Sequence, residues 1–239
     1  MVEIRPLIDT VVTVLAHVSH FWDIGGTVSA MAKKLAMATI RVVDHDVVAP
    51  PRPDDLAKIP APLAELLTAE LDEAQRYLRI PTDEILLGAL GRTVARTLGT
   101  GDLHVDLAAY GGVTVSLPCT TVQQTGATRA LRAVRQAVAA GRPQTPEATD
   151  VHFAYTGMVA EPAYRQALPT GGHALELRAC RAGDRLEMDW WYDTRRLDRY
   201  TVEELTEQFP LALIELTSEA IPLTPEPADA DNGVLANSV

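Results

Sequence analysis

The chain of 239 residues has two cysteines, three phenylalanines and only 5% aromatic residues. Two thiols, Cys119 and Cys180, cannot build a disulfide framework, and no metal-ligand spacing surrounds either. Both are expected to be buried, reduced thiols. Positive charge is also scarce: 21 lysines and arginines face 32 aspartates and glutamates, a net charge of −11. No basic run offsets this, so a nucleic-acid backbone would repel the chain. No apolar run reaches the roughly 20 residues of a membrane-spanning helix. The first apolar stretch, 11–15, is flanked by Glu3 and Asp9 where a secretory signal is basic. Gly-rich phosphate loops and a nucleophile elbow are absent as well. These absences predict a cytoplasmic protein with no nucleic-acid or membrane partner.

Apolar residues make up 47% of the chain, enough for a sizeable core. Their spacing predicts helices over 7–15 and 27–40, then a connector at Ala49-Pro-Pro-Arg-Pro53. Leu63, Leu66, Leu67, Leu71, Ala74 and Leu78 recur every three or four residues, a helix over 62–78. After Pro81, Thr82 is the expected N-cap of a helix over 83–98, stopped by Gly99. The second half alternates. Strands are predicted over 103–108, 113–117 and 151–156, a helix over 127–140, and a hairpin of 174–181 with 185–192 around Ala182-Gly-Asp184. A last helix covers 202–217, and a proline-bearing disordered tail is expected over 223–239. The fold class is α/β, a mixed sheet with packed helices behind a small N-terminal helical segment.

Three stretches in order carry a family resemblance. They are Pro81-Thr-Asp-Glu-Ile-Leu-Leu-Gly-Ala-Leu90 with Thr93-Val-Ala-Arg96, Val151-His-Phe-Ala-Tyr-Thr-Gly157, and Asp189-Trp-Trp-Tyr-Asp-Thr-Arg-Arg-Leu-Asp198 running into Val202-Glu-Glu-Leu. Together they resemble the C-terminal half of nonribosomal peptide synthetase condensation and epimerization domains, of the chloramphenicol acetyltransferase-like superfamily. The resemblance covers 65–225 and implies half of that fold, with a cleft between two such halves as the family's active site. The family's HHxxxDG motif is missing. Ala109-Tyr-Gly111 stands where epimerization domains carry Gly-His-Gly, and Ala154 replaces an asparagine.

The front of the chain is similar to a carrier protein. Phe21-Trp-Asp-Ile-Gly-Gly-Thr27 resembles the carrier motif, but Val28 occupies the position of the serine that receives phosphopantetheine, and Ser29 follows one residue late. One residue rotates a helical side chain by about 100°. Ser29 is therefore a weak phosphopantetheine site, and the domains expected are a degenerate carrier-like segment over 1–60, the condensation-like half over 61–222 and the tail.

Other candidates are weighed the same way. His17, His20 and Asp23 lack a fourth metal ligand, and Asp44-His-Asp46 reads as a solvated turn, so no metal site is assigned. Trp22, Trp190 and Trp191 are candidate partner contacts; one of the adjacent pair belongs in the core, since neighbours on a strand face opposite ways. Tyr155 and Gly157 are structural, and Asp193 with Arg195-Arg196 forms a loop-anchoring ion pair. No catalytic base is identifiable. The resemblance thus implies a truncated, non-catalytic or complementing subunit of antibiotic or other secondary metabolism, docking with other synthetase proteins or carrier domains. The alternatives are a condensation or epimerization enzyme completed by a partner half, and a carrier module modified at Ser29. Self-association stays open.

Overall fold

The computed structural model describes residues 38–109, 112–143, 149–158 and 166–223. They lie in one compact unit that begins at Ala38. The expected helix over 7–15, most of that over 27–40, and the tail after 223 fall outside the described residues.

Among the described residues, eight strands and four helices run in the order β1 (Thr39–Ile40), β2 (Leu56–Pro60), α1 (Glu65–Leu78), α2 (Thr82–Thr97), β3 (Gly101–Leu107), β4 (Val113–Cys119), α3 (Ala127–Ala139), β5 (Arg142–Pro143), β6 (Val151–Met158), β7 (Leu175–Ala182), β8 (Arg185–Asp193) and α4 (Arg199–Glu219). They form one mixed sheet of order β2-β8-β7-β6-β3-β4-β5, with β1 beside the start of β3. Strands β3, β6 and β7 are parallel, and β2, β8, β4 and β5 pair antiparallel with their neighbours. This is the expected α/β architecture.

Strand alternation sends one set of side chains toward the helices. Leu103, Val105 and Leu107 of β3, Val115 and Leu117 of β4, Leu175 and Leu177 of β7, and Met188 and Trp190 of β8 join the helices in the core. Trp190 meets Phe209 of α4 edge to face, with ring centroids 5.6 Å apart. Helix α2 is buried along almost its whole length, as its broad apolar stripe requires. Gly88 sits where α3 and α4 press on it: a Cβ there would lie 3.0 Å from Leu131 Cδ2 and 3.2 Å from Leu216 Cδ1. The absent side chain lets three helices close up, at a cost in helix propensity of about 1 kcal/mol.

Several expectations shift. Thr39–Ile40 is a strand, not the end of a helix, and Leu56–Pro60 is a full sheet member. The front segment expected to be helical over 1–60 therefore supplies two strands to the sheet. The prolines at positions 50, 51, 53 and 60 conceal β2, whose Ala57 and Ile59 pack on the core. Helix α1 starts at Glu65 rather than at 62, because Ala61 and Leu63 still donate to the Met188 and Leu186 carbonyls and extend the β2–β8 ladder. Pro81, not Thr82, is the N-cap of α2.

One buried cation ties these layers together. Arg92 of α2 is only 2% exposed and donates to the Thr120 carbonyl at 2.5 Å and to that of Thr125. Its Nε lies 3.2 Å from Glu215 of α4, which also pairs with Arg96. The guanidinium thus fixes the loop after β4 to two helices.

Candidate functional site: the helix-free face of the sheet

The other face of the sheet carries no helix among the described elements, and most of its side chains are polar. The register aligns Lys58 of β2, Trp191 of β8, Glu176 of β7, His152 of β6, Asp106 of β3, Thr114 of β4 and Arg142 of β5 in one row across seven strands. An aligned row brings side chains within contact distance of their cross-strand neighbours. The two carboxylates of this row, Asp106 and Glu176, are each engaged by neighbouring side chains.

Asp106 is the first centre. Thr114 Oγ1 donates to its Oδ1 at 2.5 Å, and His173 Nε2 lies 2.9 Å from its Oδ2. Burial pushes this carboxyl up, but hydrogen bonds from Thr114, His173 and Thr149 outweigh it and hold Asp106 below the usual aspartate range. Glu176 is the second centre. Arg178 Nε donates to it at 2.6 Å, and His152 Nδ1 stands 3.6 Å away. Here too burial pushes up, and His152 and Arg178 pull the carboxyl down. The two imidazoles stack, with centroids 5.1 Å apart, and join the centres. Beyond them Trp191 lies between Lys58 and Arg178, whose cationic groups are 5.2 and 5.8 Å from its ring centre. Lys58 also approaches Asp189 at 3.8 Å.

Residues 166–173 strap part of this face. Arg178 Nη1 donates to the Ala167 carbonyl at 2.5 Å, Arg196 Nη1 to that of Gly172 at 3.2 Å, and His173 reaches Asp106. His173 Nδ1, at the end of the strap, and Trp191 Nε1 are buried without hydrogen-bond partners among the described residues. Gly171 presses on the His173 ring, since a Cβ there would lie 2.5 Å from Nδ1. The face is thus an electrostatically closed wall with carboxylates already matched. A base acting on a substrate must come within hydrogen-bond reach of it, and His173 Nδ1 is walled off in this conformation.

Trp190 lies in the core, and Trp191 is 7% exposed, so burial removes both from the role of exposed partner contacts. Trp22, Ser29, His17, His20 and Asp23 lie outside the described residues. The Asp193–Arg195 pair forms: Arg195 bonds both carboxylate oxygens, at 2.9 and 2.7 Å, while Arg196 turns to Asp150 at 2.5 Å. The Asp44-His-Asp46 turn is exposed yet anchored, with Asp44 accepting from the Asp198 amide and His45 facing the Asp198 carboxylate at 3.4 Å. The β6–β7 register shifts between Tyr155 and Met158, with Gly157 inside the irregularity. Tyr155 and Gly157 border an open cavity of about 410 Å³ with Asp72, Asp83 and Arg181. Cys119 and Cys180 are buried thiols.

Asp106, His152, His173 and Glu176 are the site residues that sequence reasoning missed. Asp106, His152 and Glu176 alternate with apolar neighbours on their strands and His173 lies just before β7, but the order of the strands was not visible. Among the described residues, no group of three or more His, Cys, Asp or Glu side chains could hold a metal ion, and no helix is long and apolar enough to cross a membrane.

No family model matches the chain. It is 34% identical over 228 residues to one of the subunits of the phenolphthiocerol/phthiocerol polyketide synthase of Mycobacterium tuberculosis, an alignment covering 72% of this chain and 15% of that protein. Among solved structures it is similar to the epimerization domain from the third module of tyrocidine synthetase B, with a TM-score of 0.56 at 14% identity over 79% of this chain and 53% of that one. The X-domain in complex with OxyB from teicoplanin biosynthesis gives a TM-score of 0.55 at 16% identity, covering 77% and 50% of the two chains. The chain therefore spans about half of each such structure and a small part of the synthase protein.

Proposed function

We propose that this chain, whose described body has the fold of condensation and epimerization domains, is a truncated, non-catalytic or complementing component of a polyketide or nonribosomal peptide assembly line. It docks with another synthase protein and lends one wall to the cleft that handles carrier-bound intermediates. The observation that carries this reading is the closed row on the helix-free face. Asp106 and Glu176 are each engaged by a cation or an imidazole, and the remaining nitrogen of His173 is sealed against Gly171. The HHxxxDG motif is absent from the sequence. The likeness to a polyketide synthase protein supports an assembly-line setting, and the X-domain, similar in fold, is found in complex with OxyB. The front segment reads as a carrier-like remnant, with Ser29 unmodified.

Light scattering after gel filtration tests the docking. The full chain mixed with the histidine-bearing condensation half of the same assembly line should run as a stoichiometric complex; two separate species would refute the reading. A second reading is favoured by the 2.9 Å Asp106–His173 contact: a carboxylate-oriented imidazole that becomes a base once a partner draws Gly171 away from its Nδ1. That reading makes the chain a condensation or epimerization enzyme with its partner half.

A further inference from the structure

We propose that the groove between α1 and α4 is a docking site for a basic amphipathic helix of a partner protein. The inference rests on the docking reading above and specifies the partner's chemistry. Helix α1 turns Leu66, Glu70, Glu73 and Tyr77 outward, and α4 turns Glu207, Leu211, Ile214 and Ser218 outward; all eight are exposed. Both sets follow the spacing i, i+4, i+7, i+11, which keeps them on one face of each helix. The inward stripes of the same helices, such as Leu67, Leu71 and Leu78 on α1 and Leu205, Phe209 and Leu216 on α4, already supply the core. The outward apolar residues are surplus to folding. Leu66, Tyr77, Leu211 and Ile214 are 73%, 59%, 52% and 44% exposed. Isolated exposed apolar residues need no explanation, but a paired stripe beside a groove marks an interaction surface.

The groove itself has a volume of about 410 Å³ and is lined by Glu70, Glu73, Tyr77 and Ile214 together with small and hydroxyl side chains, with no basic residue among its lining. At 1.5 Å per residue, the stripe is about 16 Å long, three helical turns. A partly apolar groove whose α1 bank carries Glu70 and Glu73 selects a helix with an aliphatic face edged on that side by lysine or arginine. Charge argues against the other occupants. A second copy would bring its own Glu70, Glu73 and Glu207 to the contact. Residues 224–239 contain Glu226, Asp229 and Asp231 and no lysine or arginine.

The test titrates the full chain with a synthetic 16-residue helix bearing leucines on one face and lysines beside them, and with the same peptide carrying glutamates for lysines. Anisotropy should report binding of the lysine peptide, weakening at high salt, and at least tenfold looser in Glu70→Lys/Glu73→Lys and in Ile214→Asp. Hydrogen exchange should place the protection in α1 and α4. Equal binding of both peptides, or affinity untouched by these variants, overturns the proposal. So does a dimer of the free chain that Ile214→Asp dissolves, because the occupant is then a second copy. A tenfold gain in peptide affinity in Lys33→Glu/Lys34→Glu likewise overturns it, by making the chain's own front segment the occupant. If the chain binds the histidine-bearing half but not the lysine peptide, the groove proposal fails while the proposed function stands.

Discussion

Replacing Asp106 by alanine is the sharpest probe of the cross-sheet row. The carboxylate is about 8% exposed and accepts from Thr114 at 2.5 Å and from His173 at 2.9 Å. Hydrogen bonds to a charged group contribute about 1.5–3 kcal/mol each, less the cost of burying the charge. In Asp106→Ala the His173 ring also loses its hydrogen bond to the carboxylate and keeps its stack on His152. The expected loss is about 2–4 kcal/mol, which for a domain of this size lowers Tm by about 4–16 °C. The effect has a definite pH dependence. A carboxyl whose folded pKa is depressed adds stability that is fully present above its unfolded pKa of about 3.9, and lost as pH falls through the lower folded value. Urea midpoints of wild type and Asp106→Ala should therefore differ most at neutral pH and converge as the pH drops below about 4. A neutral-pH difference below about 1 kcal/mol, or one that does not shrink in acid, would refute the account of this centre.

Other outcomes follow from the same geometry. Arg92→Met strips a donor from the Thr120 and Thr125 carbonyls and a partner from Glu215, and should cost about 3–5 kcal/mol by urea denaturation. Burial pushes the Glu84 carboxyl up, against a weaker downward pull from Arg135, and Glu84 Oε2 has no hydrogen-bond partner among the described residues, so its ionised form opposes folding at neutral pH. A raised folded pKa helps below the unfolded value and is lost above it, so Glu84→Gln should raise Tm at pH 7 by a few degrees, and the gain should vanish in acid below about pH 4. Burial drives the Cys119 thiol up to about 12, and Cys180 is buried, so Ellman's reagent should label neither until the chain unfolds. Co-expression with a broad-specificity phosphopantetheinyl transferase should leave the intact mass unchanged; a gain of one phosphopantetheine that Ser29→Ala abolishes would make the front segment a working carrier.

The four described helices and most strands were legible because their periods are long and clean. The stripe from Leu63 to Leu78 and the hairpin around Gly183 sit within a few residues of their predicted bounds. Strand β2 was not legible, because its five residues lie among prolines and its partner β8 is more than 120 residues away. The candidate site was hidden for the same reason. Asp106 and His173 lie 67 positions apart, and only the order β7-β6-β3 makes them neighbours. The tryptophan pair shows the limit of local reasoning. Alternation does place Trp190 and Trp191 on opposite faces, yet on the second face Lys58 and Arg178 lie over Trp191, so both indoles are buried.

The most direct test of the central claim is product formation on loaded carriers, followed by intact-protein mass spectrometry, with the chain alone and with its histidine-bearing partner half. The expected result is no product from the chain alone, product when the half is added, and the same yield with His152→Gln/His173→Gln. Turnover by the chain alone, lost in His173→Gln while the fold persists, would contradict the claim and make this face an active site.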